Sequence, residues 1–319
     1  MIVDPAALPD YDALGADGAP AATSWGLLGD VGTLALITPD VLVRAAAEVR
    51  RGVVIPLNLE TTLPDPPILG RGALEQHRVP LDGGGWDDYY DAFYPQASSQ
   101  WDALAHCAHP DLGFYAGHDD YEVTDPDEPV LGIEQWARRG IAGRFVLADV
   151  ARHLARRGTP IDPSTSFAID TALLDEVLAA QGSDLRPGDI LLLNTGWIAW
   201  YRALPGPRRE ELAARGEAMA TPGLDPAEST ARWLWDHRVA AVASDCPAVE
   251  RMPFDKSAED GFLHLRLIPK LGIAVGELFD LEALSEDCAA DGHYTGLFTA
   301  APLNTPGGAG SPANALALK

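Results

Sequence analysis

Residues 171–195 run Thr171-Ala-Leu-Leu-Asp-Glu-Val-Leu-Ala-Ala-Gln181 and then Gly-Ser-Asp-Leu-Arg-Pro-Gly-Asp189-Ile-Leu-Leu-Leu-Asn-Thr195. The first part has apolar residues at helical spacing and stops at Gly182, a residue that readily takes the left-handed conformation closing a helix. The second is a short apolar run bounded by turn-forming residues, as in a buried strand. The same alternation continues outward. Helices are expected at residues 225–237, where Asp225 can cap the first turn, near 261–271 and near 281–290. Strands are expected at 239–244, 273–277 and 294–300. Short apolar strands alternating with helices specify an α/β protein whose sheet is largely buried.

Toward the N-terminus the pattern loosens. Residues 58–94 are rich in Pro, Gly and aromatics, including Asp82-Gly83-Gly84-Gly85-Trp86, and read as loops covering a site. Residues 1–22 are rich in Pro, Gly and Asp and read as an extended arm without the basic start and apolar centre of a secretory signal. No composition break separates two domains, so one domain over residues 1–319 is expected. The chain carries 23 Lys and Arg against 47 Asp and Glu, a formal net charge of −24. That charge repels phosphate backbones and anionic lipid, which argues against nucleic acid or a membrane surface as partner. Three scattered cysteines, Cys107, Cys246 and Cys288, suit a reducing compartment better than a disulfide framework, so a cytoplasmic protein is expected. Signatures of serine hydrolases, zincins and nucleotide-binding loops are absent.

The densest polar cluster is Tyr94-Pro-Gln96-Ala-Ser-Ser-Gln100-Trp-Asp102-Ala-Leu-Ala-His106. A uniform strand would hold Gln96 and Gln100 about 13 Å apart, too far to share an ion; a turn at Ala97-Ser98-Ser99 would bring them together. Each candidate also has an ordinary structural reading. Gln96 and Gln100 could be hydrogen-bonding side chains in a turn, Asp102 a helix cap, and His106 and His264 packed core histidines. Glu277 follows the apolar run Ile273-Ala-Val-Gly276, where a buried carboxylate is costly unless paired or metal-bound.

The cluster resembles the motif H-x-G-T-H-x-D-x-P-x-H of the cyclase family that includes kynurenine formamidase and isatin hydrolase. Asp102 and His106 match it; Gln96 and Gln100 stand at the two histidine positions, Ser98-Ser99 replace Gly-Thr, and Leu104 replaces Pro. The resemblance extends to Trp25-Gly-Leu-Leu-Gly29, Tyr115-Ala-Gly117, Arg186 to Trp197, Ser244-Asp-Cys-Pro-Ala-Val-Glu250, and His264 with Glu277. It implies a single-domain, swivelling β/β/α fold with a mixed sheet flanked by helices. It also implies a homodimer or homotetramer acting on a small molecule. The implied site has Gln96, Gln100 and Asp102 as metal ligands, and His106, Glu277 and His264 as catalytic groups; His264 and Glu277 also stand where formamidase-like members complete the metal site, so Asp102, His264 and Glu277 could hold an ion alone. Trp25, Trp101, Tyr115 and His118 would line the substrate pocket. An amide oxygen is a harder, weaker donor than imidazole, which shifts preference from Zn²⁺ toward Mn²⁺, Mg²⁺ or Ca²⁺. The implied activity is metal-dependent hydrolysis of a C–N or C–O bond in a cyclic or acylated substrate: an amide, lactam or lactone. Two alternatives stay open: a metal-free cyclase or lyase using Asp102, His106 and Glu277 as acid and base, and a non-catalytic small-molecule binder.

Overall fold

A computed structural model describes residues 3–319. In chain order its strands are β1 (Val54–Pro56), β2 (Glu75–Pro80), β3 (Trp86–Asp91), β4 (Gln100–Asp102), β5 (Ile141–Asp149), β6 (Ala168–Ile169) and β7 (Ile190–Asn194), followed by β8 (Gly223–Leu224), β9 (Ala241–Ser244), β10 (Ala274–Glu277), β11 (Thr295–Ala300), β12 (Gly310–Pro312) and β13 (Ala315–Leu318). Nine of them form one mixed sheet in the order β1-β13-β11-β5-β7-β9-β10-β4-β12. Its centre, β5-β7-β9-β10, is parallel and joined by helices, as parallel neighbours require. Antiparallel strands flank it on both sides. β7, β9 and β10 are buried along their whole length, which is why they read as unbroken apolar runs. The expected α/β class with a mixed, buried sheet is the one observed.

The second half follows the sequence closely. The helix Thr171–Gln181 is capped by Asp170 and closed by Gly182 at φ 64°. The helix expected over 225–237 spans Glu228–Asp236, and no side chain caps it. The helix expected near 261–271 is a single turn, His264–Leu267.

Two expectations for the first half are corrected. Residues 3–22 form no extended arm: Pro5–Ala7 and Tyr11–Ala13 are single 3-10 turns, tied down by Trp235 Nε1 to the Pro9 carbonyl at 2.9 Å and by Tyr11 N to Asp236 at 2.8 Å. Met1 and Ile2 lie outside the described residues. Nor is 58–94 one covering loop, because β2 and β3 pair as a hairpin in which every residue but His77 is exposed. Ahead of the hairpin, the segment is held by Leu59 N to Ser99 Oγ at 2.8 Å and Ser98 Oγ to the Glu60 carbonyl at 3.1 Å, and Ile68 is buried in the cluster with Trp197 and Tyr201.

Strand pleating sends Trp101 to the face opposite Gln100 and Asp102. There it is fully buried, edge-on to Trp136, Phe279 and Phe298 at centroid distances of 6.4, 5.2 and 6.0 Å. Trp101→Ala should therefore destabilise the protein by about 3–5 kcal/mol in denaturant titration, the cost of a large aromatic cavity. A loss under about 1 kcal/mol would contradict this packing.

Candidate metal centre and acid–base site

β4 is three residues long, yet it supplies two polar side chains to one face. Its register on β10 sets Gln100 opposite Glu277, so the two point the same way. Gln100 Nε2 donates to Glu277 Oε2 at 2.5 Å. On the other side of β4, Gly310 opposes Asp102. A Cβ at Gly310 would lie 2.5 Å from Gln96 Nε2, so the missing side chain leaves room for Gln96 on the Asp102 face. The expected turn is present but displaced: a 3-10 turn at Pro95–Ala97, with Ser98 already extended.

His264 enters from the one-turn helix below. Its Nε2 lies 3.2 Å from Glu277 Oε1 and 3.8 Å from Asp102 Oδ2, the latter beyond hydrogen-bonding reach. Its Nδ1 lies 2.8 Å from both oxygens of Glu250. A carboxylate at Nδ1 fixes the ring orientation and turns Nε2 toward the centre, the arrangement typical of a metal-binding histidine. Val249 N donates to Glu277 Oε1 at 3.2 Å, so the 244–250 segment orients both His264 and Glu277. Glu250 was missed in the sequence, although it ends the quoted Ser244–Glu250 stretch as a carboxylate after Pro-Ala-Val.

Ligand atoms of Asp102, His264 and Glu277 all lie within 4.8 Å of one another, and all three residues are buried. Both Asp102 oxygens and Gln100 Oε1 are buried without a hydrogen-bond partner among the described residues. Orphaned oxygens are rare in protein interiors. Together with one imidazole and two carboxylates at this spacing, they make a donor set that fits a divalent cation. The geometry thus groups His264 and Glu277 with Asp102 and Gln100 as candidate ligands, the metal-site role that the resemblance offered them beside a catalytic one. Asp102 lies in a strand, so the cap reading is withdrawn. A second grouping, Glu75, His77 and Asp91, lies on the exposed hairpin, where His77 pairs with Asp91 at 3.1 Å.

His106 completes the centre. Its Nδ1 lies 3.7 Å from Asp102 Oδ1, and 29% of its side chain is exposed, against 0% for Asp102. Of the two, His106 is the one reachable from outside. Burial pushes its pKa down, more than the Asp102 charge pulls it up, so it is neutral near pH 7. Burial drives Glu277 up and the Asp102 charge adds to this, to about 7. For His264, burial acts downward, but Glu250 and the contacts with Asp102 and Glu277 prevail and hold it well above the usual imidazole range. For Asp102, burial acts upward, and His106 and His264 outweigh it to leave the carboxyl below its usual range. Burial raises the Cys107 thiol to about 11, which removes it as a thiolate nucleophile.

The four residues expected to line a pocket here have the following surroundings. Trp101 is in the core, on the other face. Tyr115 is buried, with its hydroxyl 3.3 Å from Ser24 Oγ. Trp25 donates to the Pro269 carbonyl and packs on Gly117; His118 pairs with Glu122 at the surface, 3.1 Å away. Phe262 lies beside the centre, its ring stacked on His264 at 4.8 Å and 9°, and the charge of Arg71 is near enough to act on Asp102, His106 and Glu277. A surface cavity of about 740 Å³ lined by Val3, Pro39, Arg44 and Arg186 contains none of these groups.

The family described as "Putative cyclase" matches residues 43–251. No curated protein matches the chain. A crystal structure described as a novel cyclase superposes with a TM-score of 0.80 at 30% identity, covering 93% of this chain and 99% of that one. An isatin hydrolase bound to the product analogue thioisatinate superposes at 0.61 with 17% identity, covering 86% of this chain and 93% of that one. Isatin hydrolase A from Ralstonia solanacearum superposes at 0.60 with 17% identity, covering 88% and 97%. Among the described residues no helix is long and apolar enough to cross a membrane.

Glu277 is protonated below about pH 7 and His264 carries a proton well above its usual range, so a cation must displace protons to bind. Affinity for Mn²⁺ should therefore fall as pH falls, by about tenfold or more between about pH 8 and about pH 6. Calorimetry in buffers of different ionisation enthalpy should register proton release. An affinity that is flat over this window would contradict the assignment.

Proposed function

Because the chain belongs to the Cyclase family, we propose that it is a divalent-metal-dependent hydrolase opening a C–N or C–O bond in a small cyclic or acylated substrate. The observation that carries this reading is the buried convergence of Asp102, His264 and Glu277, with both Asp102 oxygens left without a partner. Those three residues would hold the ion, with the free Oε1 of Gln100 as a further donor and Gln96 beside it. The set is richer in oxygen than a two-histidine centre and favours Mn²⁺ or Mg²⁺ over Zn²⁺. When bound, such an ion supplies Lewis acidity that polarises a carbonyl and acidifies a water.

The remaining steps fall to the side chains. His106, neutral near pH 7 and turned with Nδ1 toward Asp102, leaves Nε2 to take a proton from the attacking water and return it to the leaving nitrogen or oxygen. The negative charge of Asp102 stabilises the imidazolium formed between those two transfers. Glu250 keeps His264 from rotating, and the Gln100 amide does the same for Glu277.

The test is a panel of formamides, lactams and lactones assayed with Mn²⁺-loaded and chelator-stripped protein. Turnover should require the ion, and His106→Ala should lower kcat by about 10²–10⁴-fold while the bound ion is retained. Equal turnover by loaded and stripped protein would instead favour a metal-free acid–base enzyme.

A further inference from the structure

Arg71 closes a turn in which its N–H donates to the Ile68 carbonyl at 3.3 Å, and Ile68 is buried in the apolar cluster that includes Cys246, Ala248 and Leu278, the last directly following Glu277. Its neighbour Gly72 lies against the Tyr94 ring, where a Cβ would come within 2.8 Å. The Arg71 Nη1 is buried and has no hydrogen-bond partner among the described residues. Arg71 is half-buried, its guanidinium stays charged at any working pH, and a buried nitrogen left without a partner is costly. No described carboxylate lies within salt-bridge distance of it, although the acidic centre is near enough to feel its charge. A positive fork thus stands unengaged beside a negative centre, in a chain of net charge −24.

We infer that Arg71 is an anion-binding subsite of the same centre, and that the substrate carries a carboxylate or similar oxyanion on a flat body. Phe262, half-buried and stacked on His264 with Phe254 at 4.7 Å, offers the matching apolar wall. Lys256 lies over both rings, 5.3 and 5.7 Å from their centroids, and adds a second positive charge on that side. A planar guanidinium pairs with planar oxyanions through two parallel hydrogen bonds, and it would hold the substrate by the end remote from the bond that breaks. This deepens the hydrolase reading and rests on it only for the word substrate, since the subsite can be measured without turnover.

The probe is benzenesulfonate, an aromatic anion that ligates metals weakly, compared with the neutral methyl phenyl sulfone. Binding is measured by calorimetry in Mn²⁺-containing buffer to wild type, Arg71→Met and Arg71→Lys, with metal content determined in each. Benzenesulfonate should bind wild type, bind Arg71→Met about tenfold or more weakly, and bind Arg71→Lys in between; the sulfone should not distinguish the three. Failure of benzenesulfonate to bind wild type, or equal affinity in wild type and Arg71→Met, would overturn the subsite. Metal content separates the two readings: loss of the subsite with the ion retained leaves the hydrolase reading intact. Sulfonate binding that depends on Arg71 in a protein that takes up no ion would leave the subsite standing alone.

Discussion

Three carboxylates buried around one imidazole are the constraint on which the rest of this site depends. Asp102, Glu250 and Glu277 converge on His264, and none of the four is more than slightly exposed. A single imidazolium cannot neutralise three negative charges in a medium of low polarity, where an uncompensated charge is penalised heavily. The protein responds in the two ways open to it: Glu277 holds its proton to about pH 7, and His264 holds its proton well above its usual range. A dication relieves the same imbalance more completely, because it replaces protons with charge and also engages the Asp102 oxygens that have no partner.

The backbone arrangement makes this crowding possible. Glu277 sits at the carboxyl end of a parallel strand and Gln100 directly opposite on a short antiparallel one. Glycine at 310 opens the space for Gln96. The opposite face of the same three-residue strand carries Trp101 into an aromatic core. One strand therefore anchors the fold with its middle residue and presents polar atoms with the two beside it. The positions of Gln100, Asp102 and Glu277 are thus set by the packed sheet, the condition under which a site keeps its geometry.

Where local chemistry decided the structure, it was legible in the sequence. Gly182 stops a helix because it adopts positive φ, and the unbroken run of β7 reads as buried because both faces are covered. The grouping of Asp102 and His106 with His264 and Glu277 followed from family resemblance rather than from spacing. What was not legible depended on contacts distant in sequence. The helix expected near residues 261–271 is a single turn that begins only at His264, the residue whose ring Glu250 holds from a distant segment. The hairpin of β2 and β3 has no buried face, so it carries no alternating pattern to reveal it. Trp101 lies between two motif residues in sequence, but strand pleating turns it away from the site into the core. Glu250 and Arg71 are isolated charges whose role appears only once the chain is folded around them.

The two glutamines at the positions where the family motif has histidine distinguish this centre. An amide keeps the oxygen donor and gives up the basic nitrogen. Here Gln100 uses its nitrogen to hold Glu277 and leaves its oxygen free. The central claim is that the remaining Asp, His and Glu, with those amides, still hold one cation. The most direct measurement is calorimetric titration of Mn²⁺ and of Zn²⁺ into chelator-stripped wild type and the Asp102→Asn variant. The predicted result is uptake of about one ion per chain by wild type, Mn²⁺ competing effectively with Zn²⁺, and none by the variant. Uptake of neither ion by the wild-type protein, or equal uptake by the variant, would contradict it.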